Sequence, residues 1–258
     1  MAKAFDIFRL LGISFKISYL MLTSKELKRF KKLHQKKHRI LEQLFIAEGV
    51  KVVEEFIVEG FKPINVFADH TYEGKVSTSV YRVGSKQMEQ LSAFKKSPGL
   101  LAVFEMPIKK KLNFNGWTVA LDSINDPGNL GTIIRTCDWF GIDQILCSSD
   151  TVDCYNPKVV QASMGSLARV NCYYGDLGLE LKSSGQVVYA ADVKGEYYHE
   201  VEWPVSGILL MGSESHGISP SLKNTIHRFV HIPKSQNSRA ESLNVGVSAS
   251  ILLSALQK

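Results

Sequence analysis

The spacing of apolar residues changes character along the chain. Within residues 25–39, KELKRFKKLHQKKHR, Leu27, Phe30 and Leu33 recur every three positions, and Ile40, Leu41 and Leu44 continue the series. That period predicts one helix with an apolar stripe. Up to residue 107 the pattern then alternates. FIAEGVKVVEEFIVEG predicts a short strand running into an amphipathic helix, INVFAD and VYRVG predict strands, KQMEQLSAF a helix, and GLLAVFEMP a closing strand. From residue 117 the alternation is plainer. WTVALD, QILCSS, VVYAAD, GILLMG and RFVHIP are apolar runs too short for helices and bounded by turn residues. Between them lie the helical patterns NLGTIIRTCDWFG and PKVVQASMGSLA, with ESLNVGVSASILLSAL after the last run. This order predicts an α/β fold with a mostly parallel sheet covered by helices on both faces.

Polar and charged residues then mark the organisation. KKKLNFNG, residues 109–116, is polar and basic and reads as a linker between a small α/β domain at 23–108 and a larger one at 117–258. Residues 1–22 read as an N-terminal extension, with a helix packed on the body as the alternative. Early positive charges and an apolar stretch suggest a signal peptide, but Lys16 interrupts the run and no small-residue cleavage site follows. The run is too short to span a bilayer, so no membrane attachment is expected.

The 258 residues are 45% hydrophobic and 22% charged, the balance of a globular protein rather than a disordered one. The net charge of +6 favours an acidic partner such as nucleic acid. Much of it sits in the first helix, which carries Lys25, Lys28, Arg29, Lys31, Lys32, Lys36, Lys37 and Arg39 against a single acid, Glu26. Such a face is either simply solvated or binds a phosphate backbone, with Lys28, Arg29, Lys32, Lys36, Lys37 and Arg39 as the contacts. Cys137, Cys147, Cys154 and Cys172 lie scattered without a zinc spacing, which predicts free thiols in a reducing cytoplasm. His227 and His231 flank a strand-like run, so no metal is expected there.

Ligands of parallel α/β sheets bind at the carboxyl ends of the strands. Three loops at such ends are unusual: NDPGNLGT, GSESHGIS and PKSQNSRAESLN. The first two lack the Lys and hydroxyl of a phosphate loop, and the first reads G-x-x-G rather than G-x-G-x-x-G. Ser213-Glu214-Ser215-His216-Gly217 has Ser where a hydrolase elbow needs its first Gly. That near miss leaves a serine hydrolase using Ser215 as an outlying alternative.

Taken in order, NDPGNLGTIIRT, LLMGSESHGIS and HIPKSQNSRAESLNVGVSASI resemble the three motifs of the SpoU–TrmH family of RNA ribose 2′-O-methyltransferases, part of the SPOUT superfamily. The resemblance covers residues 117–256. NPKVVQASMGSLARV is similar to the segment between the first two motifs, and FIAEGVKVVEEF through GLLAVFEMP resembles the ribosomal-protein-like substrate-binding domain that often precedes them. The resemblance implies a deep trefoil knot in the C-terminal sheet, a homodimer, and methyl transfer from S-adenosylmethionine to a ribose 2′-hydroxyl of ribosomal or transfer RNA, with no metal. It also implies that backbone groups around Gly212, Ile232 and Leu243 hold the cofactor.

Residue by residue, Arg135 matches the family's catalytic Arg and Asn129 its partner, while Glu214, Ser242 and Asn244 complete the set. Arginine stays protonated up to about pH 12, so Arg135 reads as a group that positions RNA and stabilises an alkoxide, acting as a base only in a special environment. Ser242 and Asn244 are also natural caps for the last helix. The third loop is longer than the family pattern by about residues 237–239, which bring an extra Arg239. A catalytically silent RNA-binding protein is the second alternative.

Overall fold

A computed structural model describes residues 22–73, 80–96, 99–108 and 111–257. The expected N-terminal extension falls almost wholly outside the described residues. The chain divides into two compact units, Met1–Pro107 with Tyr155–Gln161, and Ile108–Cys154 with Ala162–Lys258.

The first unit opens with helices α1 (Ser24–Lys32) and α2 (Lys36–Glu42), followed by β1 (Leu44–Glu48), α3 (Val50–Val58), β2 (Pro63–Ala68), β3 (Val80–Arg82), α4 (Ser85–Leu91) and β4 (Leu100–Glu105). Its sheet order is β1-β4-β2-β3, with β4 antiparallel to both neighbours and β2 parallel to β3. Phe45, Phe56 and Phe104 are fully buried and stack at centroid distances of 5.2–5.6 Å, and the Tyr155 ring lies 4.7 Å from Phe45.

The single helix expected over residues 25–39 is two. Thr23 and Glu26 form a reciprocal capping box that starts α1. The break at residues 33–35 is closed by Arg39, whose guanidinium donates to the carbonyls of Leu33 and His34, both at 2.9 Å. Those carbonyls lie at the negative end of α1, where a cation is favoured. Arg39 is 2% exposed. It is therefore a buried cap and not part of a phosphate-binding face, a correction to its sequence reading. Ile40 and Leu41, placed on the apolar stripe by the period, are 54% and 78% exposed because the break rotates them outward.

The second unit holds β5 (Trp117–Leu121), α5 (Pro127–Trp139), β6 (Gln144–Ser148), β7 (Asn171–Gly175), α7 (Leu177–Ser183), β8 (Val188–Tyr197), β9 (Gly207–Met211), β10 (Arg228–His231) and α8 (Val245–Ala255); α6 (Pro157–Ala162) precedes β7 in the chain. Its six strands run in the order β10-β8-β9-β5-β6-β7, every pair parallel. β5 and β9 are buried along nearly their whole length, as strands covered on both faces must be. The expected helix over PKVVQASMGSLA ends early, since Met164 and Gly165 adopt positive φ of 52° and 95°. Residues 111–115 hold to this unit: the Asn113 N–H donates to Gln144 Oε1 at 3.1 Å and Gln186 Nε2 to the Phe114 carbonyl at 2.9 Å.

Strand β8 leaves its ladder partway. Phe229 pairs with Ala190, but the next residue, Val230, pairs with Glu196. Residues 191–195 thus stand against one step of β10. Gly195 makes this possible, because a Cβ there would sit 2.6 Å from the Phe229 carbonyl carbon.

Candidate active site

The loops after β5 and β9 are joined by Asp122, a residue the sequence reading passed over. It is 4% exposed, and its Oδ2 accepts from the Ser219 N–H at 2.6 Å while its own N–H donates to the Met211 carbonyl. Its signal was visible as an acid ending the apolar run WTVALD. Beyond Met211 the chain makes a tight reversal, with Ser213 and Gly217 exchanging backbone hydrogen bonds at 2.9 and 3.0 Å. A Cβ on Gly212 would lie 2.3 Å from the Gly217 carbonyl carbon, so only glycine fits. This strand-to-hairpin path is not the strand-to-helix elbow of a serine hydrolase.

The reversal presents Glu214 to two asparagines. Asn244 is the N-cap of α8, and its Oδ1 accepts from the Gly246 and Val247 N–H groups at 3.0 and 3.2 Å. That fixes the amide's orientation, so Nδ2 points away from the helix. Nδ2 donates to Glu214 Oε1 at 2.7 Å and to Asn129 Oδ1 at 2.8 Å. Asn129 Nδ2 donates to the same Glu214 oxygen at 3.1 Å, and the Val245 N–H adds a further donor at 3.1 Å. Asn129 is itself held in the first turn of α5, where its N–H donates to Asp126 Oδ1 at 2.8 Å. Three residues distant in sequence thus close one hydrogen-bonded ring.

The helices that carry the asparagines pack closely. A Cβ on Gly246 would meet Thr132 at 3.2 Å, and the Thr136 and Ser250 hydroxyls are 3.1 Å apart. Arg135 extends from the same helix α5; it is exposed and has no hydrogen bond or ion pair among the described residues. The structure does not join it to the ring of Asn129, Glu214 and Asn244. Ser242 is exposed and precedes the cap.

A cavity of about 850 Å³ opens beside Glu214. Its wall includes Gly212, Ile232 and Leu243, the three positions expected to hold a cofactor, together with Ser242. Its charged groups are mainly acidic: Asp192, Glu214 and Glu241 against Lys234, whose Nζ donates to the Ala240 carbonyl at 2.8 Å and so ties the long third loop. Asp192, Tyr197 and His231 were not foreseen as lining residues, since nothing in their local sequence shows that β8 bends toward β10.

Among the described residues no group of three or more His, Cys, Asp or Glu could hold a metal ion. No described helix is long and apolar enough to cross a membrane. On the basic face, Lys28, Arg29, Lys32, Lys36 and Lys37 are all exposed, and Arg29 is also paired with Glu42 at 2.5 Å.

A parallel α/β sheet with a ligand-sized cavity and a fixed polar ring at its strand ends has the form of a small-molecule binding site. Comparison with known proteins specifies which. Residues 116–254 match the SpoU rRNA Methylase family and residues 24–102 the MRM3-like substrate binding domain. The chain belongs to the SpoU rRNA methylase family. It is 30% identical over 238 residues to the 23S rRNA (guanosine(2553)-2′-O)-methyltransferase RlmP of Bacillus subtilis, covering 89% of this chain and 95% of that one. A TrmH-family protein from Porphyromonas gingivalis superposes with a TM-score of 0.82 at 33% identity, over 92% of this chain and 98% of the other. An AdoMet-bound rRNA methyltransferase from Sinorhizobium meliloti gives 0.79 at 27% identity, over 92% and 95%.

Proposed function

We propose that this protein transfers a methyl group from S-adenosylmethionine to the 2′-hydroxyl of one ribose in structured RNA, and that the RNA is ribosomal. The observation that carries the reading is the ring of Asn129, Glu214 and Asn244 beside the cavity of Gly212, Ile232 and Leu243. The choice of ribosomal RNA follows the relative from Bacillus subtilis, which matches along nearly its full length.

The cavity suits the cofactor on its own chemistry. Its volume lies within the roughly 300–1,000 Å³ typical of small-ligand sites. Three carboxylates on its wall suit a ligand carrying a sulfonium and an ammonium, and Leu243, 47% exposed, offers an apolar face to an adenosine. S-adenosylmethionine supplies the methyl group to an attacking oxygen. The chain's own residues do the rest. Glu214, locked by both asparagines, fixes the wall beside the reacting centre. Arg135, exposed and without a partner among the described residues, takes a phosphate and stabilises the developing alkoxide. Ser242 contributes a hydroxyl at the cavity wall.

The first unit holds the RNA by its phosphates through Lys28, Lys32, Lys36 and Lys37, read by shape rather than by base. The same reading takes residues 23–108 as a ribosomal-protein-like substrate-binding domain and 117–258 as the methyltransferase domain. It includes a trefoil knot in the larger domain, a homodimer, and a cytoplasmic location, which four free thiols favour.

The test is tritium transfer from labelled S-adenosylmethionine to total RNA from cells lacking this protein, with Arg135→Ala as control. Label at one position that resists alkaline cleavage, absent with the variant, is the expected result. Binding of the donor without labelling of any RNA would restore the silent RNA-binding reading.

A further inference from the structure

The cavity has a wall that the proposed chemistry does not use. Where β8 rejoins β10, Tyr197 and His231 face each other across the ladder, their ring centroids 4.5 Å apart. Both line the cavity. His199, outside that lining, stacks on Tyr197 at 5.7 Å with only 17° between the ring planes. Three rings therefore run from the cavity wall out to the surface. Tyr197 is 43% exposed and the His199 side chain 53%. Partly exposed rings gathered at a cavity mouth are of the kind enriched at binding surfaces.

The tier is held in place rather than loose. His231 Nδ1 is 2.8 Å from the Gly195 carbonyl, the Tyr198 N–H donates to the His231 carbonyl at 3.1 Å, and the Trp203 indole donates to the Tyr198 carbonyl at 3.0 Å. The close approach at Gly195 sets the register that brings Tyr197 opposite His231.

We propose that Tyr197, His199 and His231 form a stacking platform for an unpaired nucleobase of the RNA, at the mouth of the methyl-transfer cavity. Its chemistry fits: rings with a polar edge, partly exposed and pre-positioned, take a base by its face whatever its identity. The outward run of the tier to His199 favours a base arriving from outside over an adenine lying within. The proposal rests on the RNA-modifying reading, and it adds that the target strand must present a splayed base next to the modified ribose.

The test uses the full chain and two probes, a fluorescent single-stranded oligoadenylate and a fully paired RNA duplex of equal length, with calorimetric binding of S-adenosylmethionine alongside. Tyr197→Ala is expected to weaken oligoadenylate binding by about 5- to 150-fold, the range of about 1–3 kcal/mol measured for a stacked base. Tyr197→Phe keeps the ring and restores it. Duplex affinity stays within about two-fold, and so does cofactor affinity in His199→Ala, which lies outside the cavity lining. Weakened cofactor binding with intact oligoadenylate binding would overturn the proposal, giving the ring to the cofactor; so would no change in either. If Tyr197→Ala unfolds, His199→Ala at the exposed end decides, and an unchanged oligoadenylate affinity there also overturns it. Failure of wild-type protein to bind S-adenosylmethionine would instead refute the methyltransferase reading.

Discussion

Asn244 does two things that substitution can separate. Its Oδ1 caps two N–H groups of α8, and its Nδ2 joins Asn129 to Glu214. Asn244→Ala removes both. Loss of the cap costs about 1 kcal/mol, and the partly exposed acceptors left behind add about another 1 kcal/mol after hydration. At about 2–4 °C per kcal/mol for a chain of this size, the melting temperature should fall by about 4–8 °C. Asn244→Ser keeps an N-cap oxygen but has no amide to reach Glu214. Its stability should fall only by the acceptors' share, about 1 kcal/mol, or half the loss of Asn244→Ala. Its methyl transfer should still drop by about 10- to 150-fold, the equivalent of about 1.5–3 kcal/mol for a hydrogen bond to a charged group. The assay is calorimetric melting paired with single-turnover transfer of labelled methyl to RNA. Wild-type turnover in Asn244→Ser would refute the argument that the ring matters for the reaction, and an unchanged melting point in Asn244→Ala would refute the cap.

Other substitutions probe separate parts. Gly212→Ala drives a Cβ to within 2.3–2.5 Å of backbone atoms of Gly217 and Ile218, so cofactor affinity measured by calorimetry should fall at least about tenfold. Arg39→Met should destabilise the protein by about 1.5–3 kcal/mol in urea unfolding while leaving the salt dependence of RNA binding unchanged. Replacing Lys28, Lys32, Lys36 and Lys37 by Gln should flatten that salt dependence, by up to about 0.7–0.9 in log–log slope for each phosphate no longer neutralised. Burial pushes the Glu48 carboxyl above its ordinary value despite hydrogen bonds from the Ala93 N–H and the Ser92 hydroxyl. The native state then binds more protons than the unfolded one between the ordinary value and the raised one, so this group's contribution to stability falls as pH rises through that window. Glu48→Gln should remove that slope from melting curves taken across it.

The sequence marked candidate positions, but not the framework that brings them together. Asn129, Glu214 and Asn244 were marked by the resemblance of three loops at strand ends to the family's motifs. That all three share one carboxylate oxygen depends on α5, the hairpin after β9 and the cap of α8 converging, which no local pattern encodes. Most strands were legible as apolar runs. β7 was not, since NCYYG is half-buried throughout and carries no apolar run. The basic helix misled for a related reason. A three-residue period cannot reveal that Arg39 turns inward to cap a break, because charge alone gives no sign of burial.

The same convergence has a consequence in time. Asn129, Glu214 and Asn244 enter the chain far apart, and the ring cannot close until α8 has left the ribosome and its first turn has formed. The lysines of α1 and α2, proposed above to hold RNA, are made well before that ring can form. Synthesis order thus separates the basic face from the ring, and a partly made chain presents the first without the second.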